Sequence, residues 1–167
     1  IIIAPHADDE VLGCGGLILK RISEGHEVGW LLMTDVTKSK DYDEKYKSKR
    51  SNNIKLVCEK LGIRQKNFFQ LNFLPSRLDA YPMQDIIKDV NKIFESFLPN
   101  EIFLPHFGDV HSDHRIVFDA IMSASKSFRY PFVKRILSYE TISETDFNLY
   151  VDKMFNPNYF LNITDFI

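Results

Sequence analysis

The segment His6-Ala7-Asp8-Asp9-Glu10 follows the apolar run Ile1-Ile2-Ile3-Ala4-Pro5, and far along the chain His111-Ser112-Asp113-His114 follows the apolar run Ile102-Phe103-Leu104-Pro105. Each segment sets imidazole beside carboxylate at a spacing suited to holding a divalent cation. His6 and Asp9 are three apart at the entry to a helix, so a tight turn can aim both at one point, and both groups are good zinc ligands. Asp8 would lie beside the ion, where a carboxylate can take a proton from an attacking water. His114 could complete a three-ligand set with His6 and Asp9 and leave a fourth position open, the feature that separates catalytic from structural zinc sites. His111, in the loop above, would face a substrate and could donate a proton or a hydrogen bond. Asp113 could orient an imidazole from behind. The sum is a two-histidine, one-carboxylate centre with spare acid and base groups, which is hydrolytic equipment.

Each motif alone also has a plainer reading. Asp8, Asp9 and Asp113 can cap helices, Glu10 is favoured by a helix dipole, and loop histidines are often only solvated. Gly13, Gly15 and Gly16 make neither GxxxxGK[ST] nor a GxGxxG at a strand exit, so they point to close helix–sheet packing or close approach of a ligand.

Positioning these groups requires strands that end at one edge. Ile1–Ala4, Val28–Met33 and Glu101–Leu104, and more weakly Asn67–Leu71, Ile136–Tyr139 and Tyr159–Ile163, read as short strands. Between them lie helical patterns. Asp9–Glu24 has Val11, Leu12, Leu17, Ile18 and Ile22 inward and is stopped by Gly25. Glu44–Leu61 has Ile54, Leu56, Val57 and Leu61 inward and is stopped by Gly62. Met83–Leu98 and Asp113–Ser127 follow. Alternating strands and helices predict an α/β fold, a Rossmann-like three-layer sandwich with a mostly parallel sheet. Ligands of such sheets bind outside the carboxyl ends of the strands, where both histidine motifs would emerge together.

The 167 residues suit one domain spanning 1–167, and 44% apolar with 26% charged residues is ordinary for a soluble globular chain. The formal charge of −2 gives no reason to expect nucleic acid as a partner, and no apolar run approaches the roughly 18–20 residues that span a bilayer. Cys14 and Cys58 make neither a disulfide framework nor a CxxC site, and as two reduced thiols they favour the cytoplasm. The chain opens inside an apolar run without methionine and has no evident stop, so it reads as clipped at both ends. His26 reads as a surface residue, His106 as surface or pocket, and the charged run Lys38–Arg50 as a solvated loop that could rim a site. Phe107 and Phe128 could wall a ring-shaped ligand.

Pro5-His6-Ala7-Asp8-Asp9-Glu10-Val11-Leu12-Gly13-Cys14-Gly15-Gly16, joined with Asp109-Val110-His111-Ser112-Asp113-His114-Arg115, resembles the PIG-L/LmbE-like family of zinc-dependent N-deacetylases. Ala7 stands where the family often has proline, and Asn53 where it often has glutamate. The resemblance implies an LmbE-like fold and removal of an acetyl group from an N-acetylglucosamine-type glycan, glycolipid or conjugate. It implies zinc on His6, Asp9 and His114, Asp8 as general base, and His111 as acid or oxyanion partner tuned by Asp113. Arg50 would contact substrate, and Tyr139-Glu140 and Ser143-Glu144-Thr145 resemble a segment near the sugar pocket. Fe2+ or manganese would suit the same ligands as zinc. Two other readings stand beside this one: a metal-dependent amidase for a non-sugar N-acyl compound, and a glycan-binding module without turnover.

Overall fold

The β-branched and aliphatic runs pair side by side in a computed structural model that describes residues 1–166. Strands β1 (Ile2–Ala4), β2 (Trp30–Thr34), β3 (Phe68–Phe73), β4 (Glu101–Pro105) and β5 (Arg135–Tyr139) form one parallel sheet in the order β3-β2-β1-β4-β5. Ile3 lies opposite Leu31, and Ile2 opposite Phe103. Every residue of β1 and β2 is buried, as continuous apolar strands covered on both faces require.

Four long helices supply the cover: α1 (Asp9–Ser23), α2 (Glu44–Leu61), α3 (Met83–Phe97) and α4 (Ser112–Ala124), followed by the short α5 (Ile142–Thr145). The period-two alternation of the strands sorts the core. Ile3, Leu31, Met33, Ile102 and Leu104 face α3 and α4, whose Ile86, Val90, Phe94, Val117 and Ile121 are buried against them. Ile2, Ala4, Trp30, Leu32 and Phe103 face α1 and α2 through Cys14, Ile18, Ile54, Cys58 and Leu61. Each fully buried aliphatic or aromatic side chain contributes about 1.5–3 kcal/mol of transfer free energy, so the inward stripes hold the helices. The result is the three-layer α/β sandwich expected from the alternation.

Local signals set the helix ends. The carboxylate of Asp43 accepts the Tyr46 amide at 2.6 Å and opens α2; Gly62, at φ +74, closes it in the left-handed conformation that glycine adopts without penalty. Gly13 is a packing glycine: a Cβ there would collide with the ring of Tyr139, whose buried hydroxyl donates to the Ile3 carbonyl.

Two expectations are corrected. Val11, Leu12 and Leu56 are exposed, because α1 and α2 meet the sheet along Cys14–Ile18 and Ile54–Cys58–Leu61, which leaves these three on the flanking grooves. Tyr159–Ile163 forms no strand. Tyr159 receives a hydrogen bond from Arg21 and Ile163 packs on Gly16, so this segment lies over α1 instead of pairing with the edge of β5. The thiols of Cys14 and Cys58 are free and buried, one in each helix. Among the described residues no helix is long and apolar enough to cross a membrane.

Candidate active site

The strand order reverses between β1 and β4, and the crevice above their carboxyl ends is where a sheet of this topology takes its ligand. β1 stops at Ala4, and the chain turns sharply before α1. The amides of Asp8 and Asp9 donate to the His6 carbonyl, and the His6 amide donates back to Asp9 Oδ2 at 2.8 Å. Arg50, on α2, donates to the Ala7 carbonyl and braces the turn from the other side. β4 feeds the loop that leads into α4, where His111 occupies the capping position and its Nδ1 accepts the Asp113 amide at 3.1 Å. In the neutral ring, that bond places the proton on Nε2. Burial, reinforced by the nearby His6, pulls the His111 pKa down and favours this neutral form.

Three imidazoles meet here. Ring centroids lie 4.5 Å apart for His6 and His111, 5.4 Å for His6 and His114, and 5.3 Å for His111 and His114. One nitrogen from each falls within 4.8 Å of the others. Asp9 ties two of them together, with Oδ2 3.5 Å from His6 Nδ1 and 3.3 Å from His114 Nε2. Atoms that share one ion at about 2.0–2.1 Å with tetrahedral angles stand roughly 3.3–3.4 Å from one another, so Asp9 lies at ligand spacing from both imidazoles, while the three imidazoles form a looser group within 4.8 Å. The far nitrogens are held by carboxylates: His6 Nε2 by Asp113 Oδ2 at 2.9 Å, and His114 Nδ1 by Asp109 Oδ2 at 2.8 Å. Such outer partners fix the tautomer and raise the basicity of a metal-binding imidazole.

Both carboxylates are themselves anchored. Asp113 accepts the amides of Ser76 at 2.6 Å and Leu78 at 3.1 Å, and Asp109 accepts the Thr145 hydroxyl at 2.7 Å. Ser76 sits at φ +58, a conformation that is unfavourable for a residue with a Cβ and is held here by its bond to Asp113.

The carboxylates differ sharply in access. The side chains of Asp9, Asp109 and Asp113 are 5%, 0% and 0% exposed, and Glu10 as a residue is 1% exposed. Asp8 is 58% exposed, with Arg50 Nη2 at 3.8 Å. Burial pushes the Glu10 carboxyl up to about 8, which keeps it neutral. Asp9 is held far below the ordinary carboxylate range: burial opposes this, but the hydrogen bonds from His114 and His6 outweigh it. Burial likewise pulls His6 and His114 down, yet Asp113 and Asp9 for the first, and Asp109 and Asp9 for the second, lift both to about 9.

These shifts set a pH dependence for the metal-free protein. A histidine raised from about 6.5 in the unfolded chain stabilises the fold fully below that pH, and the contribution is lost as pH rises through about 9. Asp9 has the opposite sign, and its contribution is lost only as pH falls through the acid range. The chelated protein is therefore expected to lose thermal stability between pH 6.5 and 9. A Tm that stays level or climbs across that window would contradict the arrangement.

A cavity of about 240 Å³ opens beside the imidazoles, lined by His6, Ala7, His111, Arg50, Tyr42, Tyr46, Gln70 and Ser76 among others. His114 and Asp9 are buried and line no part of this cavity. Asp8 faces the adjoining groove with Glu10, Arg50 and Asn53, so Arg50 and Ala7 border both spaces.

The seven residues singled out from sequence therefore meet at one sheet edge, with changes of partner. Asp113 turns its carboxylate to His6 and meets His111 only through its backbone amide. Asp8 makes no side-chain cap for α1, and Asp9 spends its carboxylate on His6 and His114. His106 is buried and bonded to the Lys153 carbonyl at 2.8 Å, and His26 is exposed. Phe107 and Phe128 line no part of the His6 cavity. In the Tyr139 to Thr145 stretch, Tyr139 packs the core and Thr145 holds Asp109. Asp109 itself was visible only as a member of the second motif, and the Tyr42–Tyr46 pair only as part of a charged run.

The family of GlcNAc-PI de-N-acetylases, PIG-L, matches residues 1–125 of the chain. The chain belongs to the PIG-L family. It is 27% identical over 148 residues to the uncharacterized deacetylase YaiS of Escherichia coli (strain K12), covering 86% of this chain and 74% of that protein. The N,N'-diacetylchitobiose deacetylase from Pyrococcus horikoshii superposes with a TM-score of 0.72 at 25% identity, over 98% of this chain and 63% of that one. The conserved protein TT1542 from Thermus thermophilus has the same fold, with a TM-score of 0.68 at 24% identity, over 83% of this chain and 64% of that one. The chain thus spans a little under two thirds of the length of both solved structures.

Proposed function

We propose that residues 1–167 act as one catalytic unit that hydrolyses the N-acetyl group of an amino sugar, with a divalent cation on His6, Asp9 and His114. Zinc is the first candidate and Fe2+ the alternative, since two imidazoles and a carboxylate suit either. When bound, the cation polarises the amide carbonyl and lowers the pKa of water in its reach. The observation that carries the reading is the division of labour among the five carboxylates of the two motifs: Asp9 is committed to two imidazoles, Asp109 and Asp113 stand behind them, Glu10 is buried and neutral, and Asp8 is the open one of the five.

Asp8 accepts the proton of the attacking water. His111, with its proton on Nε2, faces the cavity and donates to the carbonyl oxygen as it gains charge. The proton then passes from Asp8 or His111 to the departing amine, giving acetate and a free amino sugar. Arg50 keeps the Ala7 turn in place and borders the substrate cavity. Family membership and the deacetylase names of its relatives support this chemistry, and the two free buried thiols support a reducing, cytoplasmic setting.

The test is acetate release from N-acetylglucosamine and its conjugates before and after chelation. Activity that vanishes with chelator and returns with zinc or Fe2+ is the expected result. Release that survives chelation would remove the cation from the reaction, and tight sugar binding without acetate would make the chain a glycan binder.

A further inference from the structure

We propose that Tyr42 and Tyr46 form the wall on which the sugar ring of the substrate lies, and so select ring-bearing N-acetyl compounds over simple amides. This inference rests on the deacetylase reading above and names the residues that give it specificity.

The two rings stack with centroids 4.7 Å apart and 17° between their planes. Tyr42 immediately precedes the capping residue Asp43, and Tyr46 lies in the first turn of α2, where Asp43 grips its amide. The pair is therefore fixed by the helix start. Arg50 follows Tyr46 by four residues, on the same helix face, and reaches the Ala7 carbonyl. The first two turns of α2 thus make one wall of the cavity, and the turn bearing His6 makes the other.

A stacked pair at a helix start can serve simply to fix the entry of the chain. That role buries the rings. Here Tyr42 and Tyr46 remain 38% and 43% exposed, and both border the cavity that holds His6 and His111. A tyrosine offers a large, rigid, amphipathic face with only two side-chain torsions to order, which suits it to hold a ligand at low entropic cost.

The rest of the lining matches a pyranose. Such a ring has a C–H face that packs on aromatics and a rim of hydroxyls that needs polar partners. Gln70, Thr34, Ser76 and Arg50 supply polar atoms around the cavity. At about 240 Å³ the space falls below the roughly 300–1,000 Å³ typical of pockets for drug-sized ligands, which suits a single sugar ring. A ring packed on the tyrosines presents its N-acyl group toward His6 and His111 across the cavity.

The experiment compares wild type with Tyr42→Ala, Tyr46→Ala, Tyr42→Phe and Tyr46→Phe on methyl N-acetylglucosaminide and on N-acetylethanolamine, which has the amide without the ring. Each alanine variant is expected to raise KM for the glycoside about 3–10-fold, the loss of one aromatic contact, with kcat and the ringless amide little changed. Each phenylalanine variant should keep wild-type KM. A second readout needs no turnover: saturation transfer from the metal-free protein to the ring protons of the glycoside, expected in wild type and weakened by either alanine change. Deuterating the tyrosine rings of the wild-type chain should weaken it too, which serves if an alanine variant does not fold. An active wild type whose alanine variants keep KM and saturation transfer would overturn the wall. Phenylalanine variants as impaired as alanine would also overturn it, because the hydroxyls and not the ring faces would then hold the sugar. A wild type that releases no acetate yet shows tyrosine-dependent saturation transfer would refute the deacetylase reading while leaving the wall standing.

Discussion

Asp8→Asn is expected to cut turnover by about 10²–10⁴-fold, the usual cost of losing a general base, while metal content and thermal stability stay at wild-type levels. The expectation follows from what Asp8 does not do. It makes no capping bond at α1, and its contact with Arg50, 3.8 Å away, is long and exposed, so removing its charge costs the fold little. Asparagine keeps the shape of the turn and deletes only the capacity to hold a proton. The other carboxylates of the two motifs cannot substitute: Glu10 is sealed inside, and Asp9, Asp109 and Asp113 are engaged by imidazoles and have at most 5% of their side chains exposed. Steady-state rates beside elemental analysis of the same sample decide the matter. A variant that turns over at the wild-type rate has its base elsewhere.

His6→Ala and His114→Ala should each abolish both metal binding and turnover. Either change removes one of three converging donors and also strands a buried carboxylate, Asp113 in one case and Asp109 in the other, without its partner. A loss of stability will accompany the loss of metal, so the metal-free wild type at the same pH is the proper reference for Tm. Asp109→Asn offers a milder probe of the same centre: the ligands remain, and affinity is expected to fall about 10–100-fold, as is usual when an outer partner is lost. Full metal occupancy in both alanine variants after dialysis would eliminate the proposed site.

The two halves of this centre were legible in the chain to different degrees. His6, Asp8 and Asp9 stand out by type and spacing, because a short β-branched run followed by a helix start forces a tight turn whose side chains have few directions open to them, although the same spacing also suits helix capping. The parallel sheet was equally legible, since alternating buried strands and one-sided helices have few other ways to bury their surface. Apolar faces are less legible. Val11, Leu12 and Leu56 keep helical spacing yet face grooves, because periodicity names a stripe and the neighbouring element decides how wide a stripe is covered.

Local pattern, then, determined the sheet's strands and its four long helices but not the fate of Tyr159–Ile163, and it supplied the turn after β1 and the groups able to do chemistry. Tertiary structure decided which group serves which. Asp113 belongs to His6 and Asp109 to His114, since the loop after β3 lends the Ser76 and Leu78 amides to one carboxylate and Thr145 of α5 holds the other. Tyr42 and Tyr46 became a cavity wall because the start of α2 lies beside the turn that follows β2. These pairings join residues remote along the chain, and such distances are settled only when the sheet order and the helix positions are set together, which no local spacing encodes.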